Sequence, residues 1–277
     1  MKYRNLYEIG KKALMEAGLE EAALDARLLL EFVCGTNRND LLIHGDRDVN
    51  AEQEKLYLDF IAKRGQHIPL QHLTGVQEFM GLEFWVNENV LVPRQDTEIL
   101  VEEVMKHLHD GYRILDMCTG SGCILLSLLH YSNHCTGVGA DLSERALEVA
   151  KKNAENLRIQ GVSFVHSDLF ENVEGKFEII VSNPPYICSD VIETLMDEVR
   201  LHEPMMALDG GIDGLYFYRK IIEESKNYLC GGGMLFFEIG YDQKGAVMHL
   251  MEEAGFRDVT AMQDYAGLDR VVFGCWY

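Results

Sequence analysis

A chain of 277 residues with 47% hydrophobic residues, 25% charged residues and only 5 prolines has ample material for a buried core, which excludes collagen, coiled coil and disorder. At about 150 residues per domain, the length suggests one large domain and a smaller one. Asp and Glu outnumber Lys and Arg by 45 to 25, a formal charge of -20, and such a field repels a phosphate backbone, so direct nucleic-acid binding is disfavoured.

The opening residues 1–10 lack the apolar core of a secretory signal, and no run reaches the roughly 18 apolar residues of a membrane span, so a cytoplasmic protein with no membrane contact is expected. The cysteines (Cys34, Cys118, Cys123, Cys135, Cys188, Cys230 and Cys275) are scattered, with no C-x-x-C pair. That pattern fits reduced thiols better than a disulfide framework or a zinc site, and no metal is expected.

Residues 1–75 read as a small helical bundle. Leu6, Ile9 and Ala13 share one helical face, Leu24, Leu28 and Phe32 a second, and Tyr57, Phe60 and Ile61 a third, with breaks at Cys34–Asn37 and Gly45–Asp48. Nothing there has the spacing of a catalytic constellation, so a packing or recognition module is expected. Over 76–93 the period becomes two: Leu82, Phe84 and Val86 alternate with Glu83, Trp85 and Asn87, and a Glu88-Asn89 break leads into Val90-Leu91-Val92, a hairpin-like connector. A helix follows, with Asp96 or Thr97 as its cap and Leu100, Val104 and Leu108 on one face.

Over 94–277 strands and helices alternate as in a wound parallel sheet. Strands are expected at Tyr112–Met117, Thr136–Asp141, Val162–His166, Phe177–Ser182 and Met234–Ile239, with helices near 123–131, 143–158, 213–229 and 243–254. The last two strands, Arg257–Met262 and Asp269–Gly274, are too close together for a helical crossover and are expected to pair antiparallel.

Chemistry concentrates at the ends of these strands. After the first, Cys118-Thr119-Gly120-Ser121-Gly122-Cys123 is a small-residue turn whose glycines let backbone N–H groups approach a ligand, though a tight strand-to-helix turn needs the same residues. It lacks the G-x-G-x-x-G of a pyrophosphate cradle. Asp141 closes the second strand, placed to accept both hydroxyls of a ribose, or to cap a helix beside Ser143. Asp168, ending the third, is placed to accept from an adenine amino group with Leu169 or Phe170 flanking the ring, or to cap a loop.

The sharpest feature is Asn183-Pro184-Pro185-Tyr186 after the fourth strand. Two prolines remove backbone donors and stiffen the turn, Asn183 adds an amide oxygen, and Tyr186 can cover a planar group. Two acceptors held apart by a rigid loop suit one task, gripping both N–H bonds of an –NH₂ group. An ordinary sheet-edge turn can also contain Pro-Pro.

This set resembles the S-adenosylmethionine-dependent methyltransferases of exocyclic or amide nitrogens. Further stretches narrow the resemblance: Gln71–Gly75, Val90–Glu98, Glu203-Pro204, Ala207–Leu215 and Asp264–Arg270 are similar to the release factor glutamine methyltransferases over nearly the whole chain. Cys118 stands where that family usually has Gly, His72 where Tyr is common, and Gln95 where a second Pro often stands.

The resemblance implies an α/β fold of class I methyltransferase type, Rossmann-like, its seven-stranded sheet carrying an antiparallel last strand. The reaction it implies is methyl transfer from S-adenosylmethionine, leaving S-adenosylhomocysteine, to the amide nitrogen of the glutamine in the Gly-Gly-Gln loop of peptide-chain release factors. The implied catalytic residues are Asn183, Pro184 and Tyr186, and those implied for substrate binding are Asn183, Pro184, Pro185 and Tyr186. Cys118, Thr119, Gly120, Ser121, Gly122, Asp141, Asp168, Leu169 and Asn183 are those implied for the cofactor. Asn183 Oδ1 and the Pro184 carbonyl accept the two amide hydrogens, no dedicated base is needed, and a monomer that recognises release factors through residues 1–75 is expected. Two alternatives stand beside this one: an adenine-N6 DNA methyltransferase, since the same loop can hold a flipped base, and a non-catalytic nucleoside-binding assembly factor.

Overall fold

Small residues decide how the N-terminal helices pack. The computed structural model describes residues 1–277, and here α1 (Tyr3–Glu16), α2 (Ala22–Cys34), α3 (Arg38–Ile43), α4 (Ala51–Arg64) and α5 (Leu70–Thr74) follow one another. The buried face of α1 is Tyr3, Leu6, Gly10 and Leu14, and that of α2 is Ala22, Asp25, Ala26, Leu29 and Leu30. Ile9, Leu24 and Phe32 are exposed, a correction to the expected stripes. The cause lies at Gly10: a Cβ there would stand 1.9 Å from the Tyr57 hydroxyl, which donates to the Ala26 carbonyl at 3.1 Å. Glycine and alanine let three helices approach around one buried tyrosine, a face that a search for large apolar residues passes over. The α2 helix stops at Gly35, left-handed at φ 61°, and a capping box of Asn37 and Asp40 starts α3.

Arg64, 7% exposed, holds this unit together. Its guanidinium donates to Asp25 Oδ2 at 2.8 Å, to the Ile68 carbonyl at 3.2 Å and to Glu198 Oε2 at 2.7 Å. Glu198 comes from far downstream, because residues 196–202 cluster with residues 1–76 in one compact unit, and residues 77–195 and 203–277 form the other.

The second unit opens with a hairpin of β1 (Val76–Phe79) and β2 (Leu82–Trp85). Its turn is Met80-Gly81, both with positive φ, as a two-residue hairpin turn of matching twist requires. The reversal thus precedes Leu82 rather than falling at Glu88-Asn89, and Val90 and Val92 are buried without forming a strand. The turn is tied down from both sides, by Glu98 accepting from the Met80 N–H at 2.6 Å and by the Tyr131 hydroxyl donating to the Met80 carbonyl at 2.6 Å.

Helices and strands then alternate: α6 (Asp96–His107), β3 (Arg113–Met117), α7 (Cys123–Tyr131), β4 (Thr136–Asp141), α8 (Glu144–Leu157), β5 (Val162–His166), β6 (Phe177–Ser182), α9 (Asp197–His202, counted with the first unit), α10 (Tyr216–Ser225), β7 (Leu229–Glu238), α11 (Lys244–Glu253), β8 (Arg257–Gln263) and β9 (Asp269–Trp276). The seven-stranded sheet has the order β5-β4-β3-β6-β7-β9-β8, with β9 antiparallel to both neighbours. This is the expected sheet. Alternate residues face opposite cores: Ile114, Ile179 and Val181 pack with Leu100, Val104 and Leu125, while Leu115, Ile180 and Leu235 pack with Tyr218, Ile221 and Val247. One difference from expectation is β7, which begins at Leu229 rather than Met234, running through Gly231-Gly232-Gly233 with a shift of register beside Phe177–Ile179. Three glycines carry no strand propensity, so sheet pairing alone extends the strand.

The chain enters the sheet at β3, third in the strand order, winds outward to the edge strand β5, crosses back to β6 and winds the other way. Connections therefore diverge between β3 and β6 and leave a crevice beyond their carboxyl ends, where wound sheets bind ligands.

Candidate active site

That crevice is a cavity of about 520 Å³, within the range of small-molecule sites. Its floor comes from the turns after β3, β4 and β6. After β3, Cys118, Gly120 and Gly122 have φ of 62°, 55° and 79°, so the backbone is left-handed three times within five residues. Cys118 alone of these carries a side chain, which explains physically why Gly suits its position, at a usual strain of about 1–2 kcal/mol for an L-residue. Burial pushes its thiol well up, so it stands in the cavity as a neutral group.

Asp141, at the end of β4, ties two turns together. Oδ2 accepts from Gly120 N at 2.8 Å and Oδ1 from Ser143 N at 2.8 Å, while the Ser143 side chain caps α8 by accepting from Ala146 N. Ribose acceptor and local turn holder are therefore compatible roles, since each carboxylate oxygen keeps a lone pair. Burial raises the Asp141 pKa, and the N–H groups of Ser143 and Gly120 pull it back. Asn153, fully buried on α8, braces the same loop: its amide donates to the Ser121 carbonyl at 2.9 Å and exchanges two bonds with the backbone of Trp85.

After β6, Asn183 and Pro185 line the cavity. The loop they belong to is clamped from outside. Ile187 N donates to the Leu208 carbonyl, Gly210 N to the Ile187 carbonyl and Ser189 N to the Gly211 carbonyl, and Gln243 Nε2 donates to the Tyr186 carbonyl at 2.9 Å. Gln243 spends its remaining capacity on Gly214, Gly240 and Tyr218. The Tyr186 hydroxyl points to Glu238 Oε1 at 3.5 Å, and burial beside that carboxyl raises its pKa.

Of the residues expected at the site, Cys118, Thr119, Gly120, Ser121, Asp141, Asn183 and Pro185 line the cavity, whereas Gly122, Asp168, Leu169, Pro184 and Tyr186 are not among its lining residues. Asp168 is exposed. Sequence reasoning gave Thr97 only the role of a helix cap, whereas the cap position is Gln95 and Thr97, 3% exposed, lines the cavity; it gave no role to the pair Arg94 and Glu203, 109 positions apart and joined at 2.6 Å. Met205 and Met206, half exposed, form part of the rim. The charged residues lining the cavity are Arg94, Asp141 and Asp209, with no histidine or lysine among them.

Residues 5–75 match the family described as PrmC N-terminal domain, and residues 94–202 match the methyltransferase small domain. The release factor glutamine methyltransferase of Caulobacter vibrioides is 41% identical over 268 residues, covering 95% of this chain and 93% of that protein. That of Clostridium acetobutylicum is 39% identical, covering 98% of each. The chain belongs to the release factor glutamine methyltransferase family. Among solved structures, a methyltransferase from Pyrococcus furiosus aligns with a TM-score of 0.54 at 16% identity, covering 82% of this chain and 98% of that one. A T. thermophilus 16S rRNA methyltransferase captured with AdoMet and guanosine aligns with a TM-score of 0.52 at 19% identity, covering 73% of this chain and 50% of that one. These two likenesses concern the fold.

The cofactor of a release factor glutamine methyltransferase is S-adenosylmethionine, and the cavity fits it. Asp141 supplies paired acceptors for a diol, Leu142 and Ala146 supply apolar wall beside it, and at Gly120 a side chain would project into open space, so the backbone there is free to meet a ligand.

Proposed function

We propose that the Asn183–Tyr186 loop of this enzyme holds the side-chain amide of the glutamine in the Gly-Gly-Gln loop of a release factor while its nitrogen is methylated. The single observation that carries this reading is the loop itself: an amide-bearing side chain at the mouth of β6, in a turn stiffened by two prolines and clamped by Gly210 and Gln243. When bound, S-adenosylmethionine supplies an electrophilic methyl group on a sulfonium sulfur.

A carboxamide nitrogen is a poor nucleophile because its lone pair is delocalised into the carbonyl, so orientation matters more than proton transfer. Asn183 Oδ1 and the Pro184 carbonyl accept the two amide hydrogens. Asn183 lines the cavity and Pro184 belongs to the same stiff loop, and in this reading their fixed dipoles stabilise positive charge as it develops on the nitrogen. Tyr186 buttresses the loop from behind, its ring held by the Glu238 contact. The proton lost from the alkylated nitrogen is acidic enough to leave to solvent, consistent with a cavity free of histidine and lysine.

Asp141 holds the ribose, and Cys118 to Gly122 form the turn against the methionine part; Asp168 and Leu169 lie nearest the adenine in this reading. The helical unit over 1–75 is the docking element for the protein substrate, the hairpin over 76–93 links it, and residues 94–277 carry out transfer. The enzyme acts as a monomer in the cytoplasm on proteins, with no direct nucleic-acid or membrane contact. The charge of -20 supports this against an adenine-N6 activity on DNA, and no helix is long and apolar enough to cross a membrane. Mass spectrometry of a release factor incubated with enzyme and S-adenosylmethionine tests the reading. A gain of about 14 Da on the loop glutamine is expected, and methylation of DNA with none on the protein would overturn it.

A further inference from the structure

S-adenosylmethionine carries one anionic group, the carboxylate of its methionine part, and a cavity that takes it out of water has to meet that charge. The turn after β3 has few donors left for the task. Thr119 N donates to the Ala140 carbonyl at 3.0 Å and Gly122 N to the Thr119 carbonyl at 2.8 Å, while Gly120 N is taken by Asp141 Oδ2. Among the residues lining the cavity, Arg94 is the one cation.

The segment that carries Arg94 runs along the cavity. Asn89, Val90, Leu91, Pro93, Arg94 and Thr97 all line it. Toward one end Val90 packs with Ala146 of α8, beside the Asp141 turn; at the other, Thr97 Oγ1 accepts from Asn183 Nδ2 at 3.4 Å. A cofactor laid with its ribose at Asp141 and its methyl group at Asn183 therefore brings its methionine tail to the Arg94 end. The guanidinium is set in place beforehand: Nη2 donates to Glu203 Oε1 at 2.6 Å, and the Glu203 side chain is 1% exposed against 43% for that of Arg94. That bond is the one the guanidinium makes within the protein, so Nε and Nη1 keep their hydrogens for a ligand.

We propose that Arg94, anchored by Glu203, binds the carboxylate of the cofactor's methionine part. A guanidinium presents its donors in a rigid fork that suits a carboxylate, and holding one nitrogen on a buried acid fixes the direction of the others. Glu203 also offsets the guanidinium's charge, so the site that attracts the carboxylate does not repel the nearby sulfonium. The inference rests on the reading that puts the ribose at Asp141 and the methyl group at Asn183.

The test is calorimetry on the full-length enzyme with two ligands, S-adenosylmethionine and its decarboxylated form, which keeps adenosine, sulfonium and amine but lacks the carboxylate. Wild type is expected to prefer the intact cofactor by about tenfold or more. Arg94→Met, similar in length but without a donor, should lose that preference: affinity for the intact cofactor falls about tenfold, and affinity for the decarboxylated form stays within about twofold of wild type. Arg94→Lys keeps the charge without the fork and should lie between. Binding of the decarboxylated form reports that each variant is folded, and Arg94→Gln serves if the methionine variant is not. The proposal is overturned by no preference in wild type, or by an equal loss for both ligands in Arg94→Met. It is overturned equally by unchanged cofactor affinity with only KM for the release factor raised, the result expected if Arg94 meets the protein substrate instead. Asp141→Ala separates this inference from the reading beneath it. Both ligands carry the ribose, so both should weaken alike, and if neither does, it is the orientation of the cofactor in the cavity that fails.

Discussion

Gly210 lies flat against the backbone of Tyr186, so closely that a Cβ at position 210 would stand 2.7 Å from the Tyr186 Cα and 2.9 Å from the Pro185 carbonyl oxygen. Gly210 N also donates to the Ile187 carbonyl at 2.8 Å. The acceptor loop is therefore held by backbone on backbone, with no flexible side chain between to absorb a change.

Gly210→Ala is expected to push the Pro185–Tyr186 segment outward. Misplacing a preorganised acceptor by a fraction of an ångström costs about tenfold to a hundredfold in rate, so kcat should fall while cofactor affinity, set by the turns after β3 and β4, stays near wild type. Steady-state kinetics beside calorimetry checks this. Equal losses in both would mean that the clamp supports the whole cavity and not the loop.

On the proposed reading, Asp141→Ala removes two acceptors for the ribose, charge-assisted bonds of about 1.5–3 kcal/mol each before relaxation. It also leaves Gly120 N and Ser143 N without their partner. Affinity for S-adenosylmethionine should drop at least about tenfold, and Asp141→Asn, which keeps one acceptor, should lie between. Unchanged affinity by calorimetry would contradict the ribose assignment.

Most of the wound sheet was legible because its strands are short apolar runs bounded by turn residues, as at Thr136–Asp141 and Phe177–Ser182. The Asn183 loop and the Cys118–Gly122 turn were legible for a related reason: prolines and glycines mark backbone geometry that few other residues permit. What could not be read was contact between distant segments. Thr97 resembles any helix-start threonine until Asn183, 86 positions away, is folded against it. Arg64 looks like a solvated end-of-helix cation, and its burial depends on Glu198, 134 positions on. The faces of α1 and α2 were misread because Gly10 and Ala26 pack by being small.

Glu238 and Asp116 are both pushed up to about 7, chiefly by burial. For an acid whose folded pKa lies above its ordinary value, the folded state holds a proton that the unfolded chain releases. Its contribution is complete below the ordinary value of 4.5 for Glu238 and is lost as pH rises through about 7. Facing Glu238 are Arg270 from β9, Asp96 and Thr97 from α6, Tyr186 from the loop and Tyr218 from α10. Arg270, itself bound to Asp264, is the cation among them. In the cofactor-free enzyme, Glu238→Gln should therefore gain in Tm relative to wild type as pH is raised from about 5 to about 8. A pH-independent difference would contradict it.

Arg64→Ala leaves Asp25, 7% exposed, as an uncompensated buried carboxyl, whose pKa burial already raises despite Arg64. Loss of one partner of such a pair costs about 3–5 kcal/mol. Adding Asp25→Ala should recover part of that loss, which thermal or denaturant unfolding of the double variant would reveal; a strictly additive further loss would argue against coupling.

The role of Asn183 is tested most directly by kcat and KM of Asn183→Ala with a Gly-Gly-Gln substrate. The variant removes one of two acceptors at the reacting nitrogen, and loss of one preorganised polar contact there costs about 2.7–4 kcal/mol, or roughly 10²–10³ in rate. On the proposed reading the substrate's binding energy is expected chiefly from contacts remote from the glutamine, so KM should change little. Asn183→Asp keeps an acceptor of the same size but adds charge beside the sulfonium, and should raise cofactor affinity while still impairing kcat. A collapse of kcat at nearly constant KM is the expected result. Near-normal kcat in Asn183→Ala would mean that this loop is a structural turn and that the glutamine amide is held by other groups.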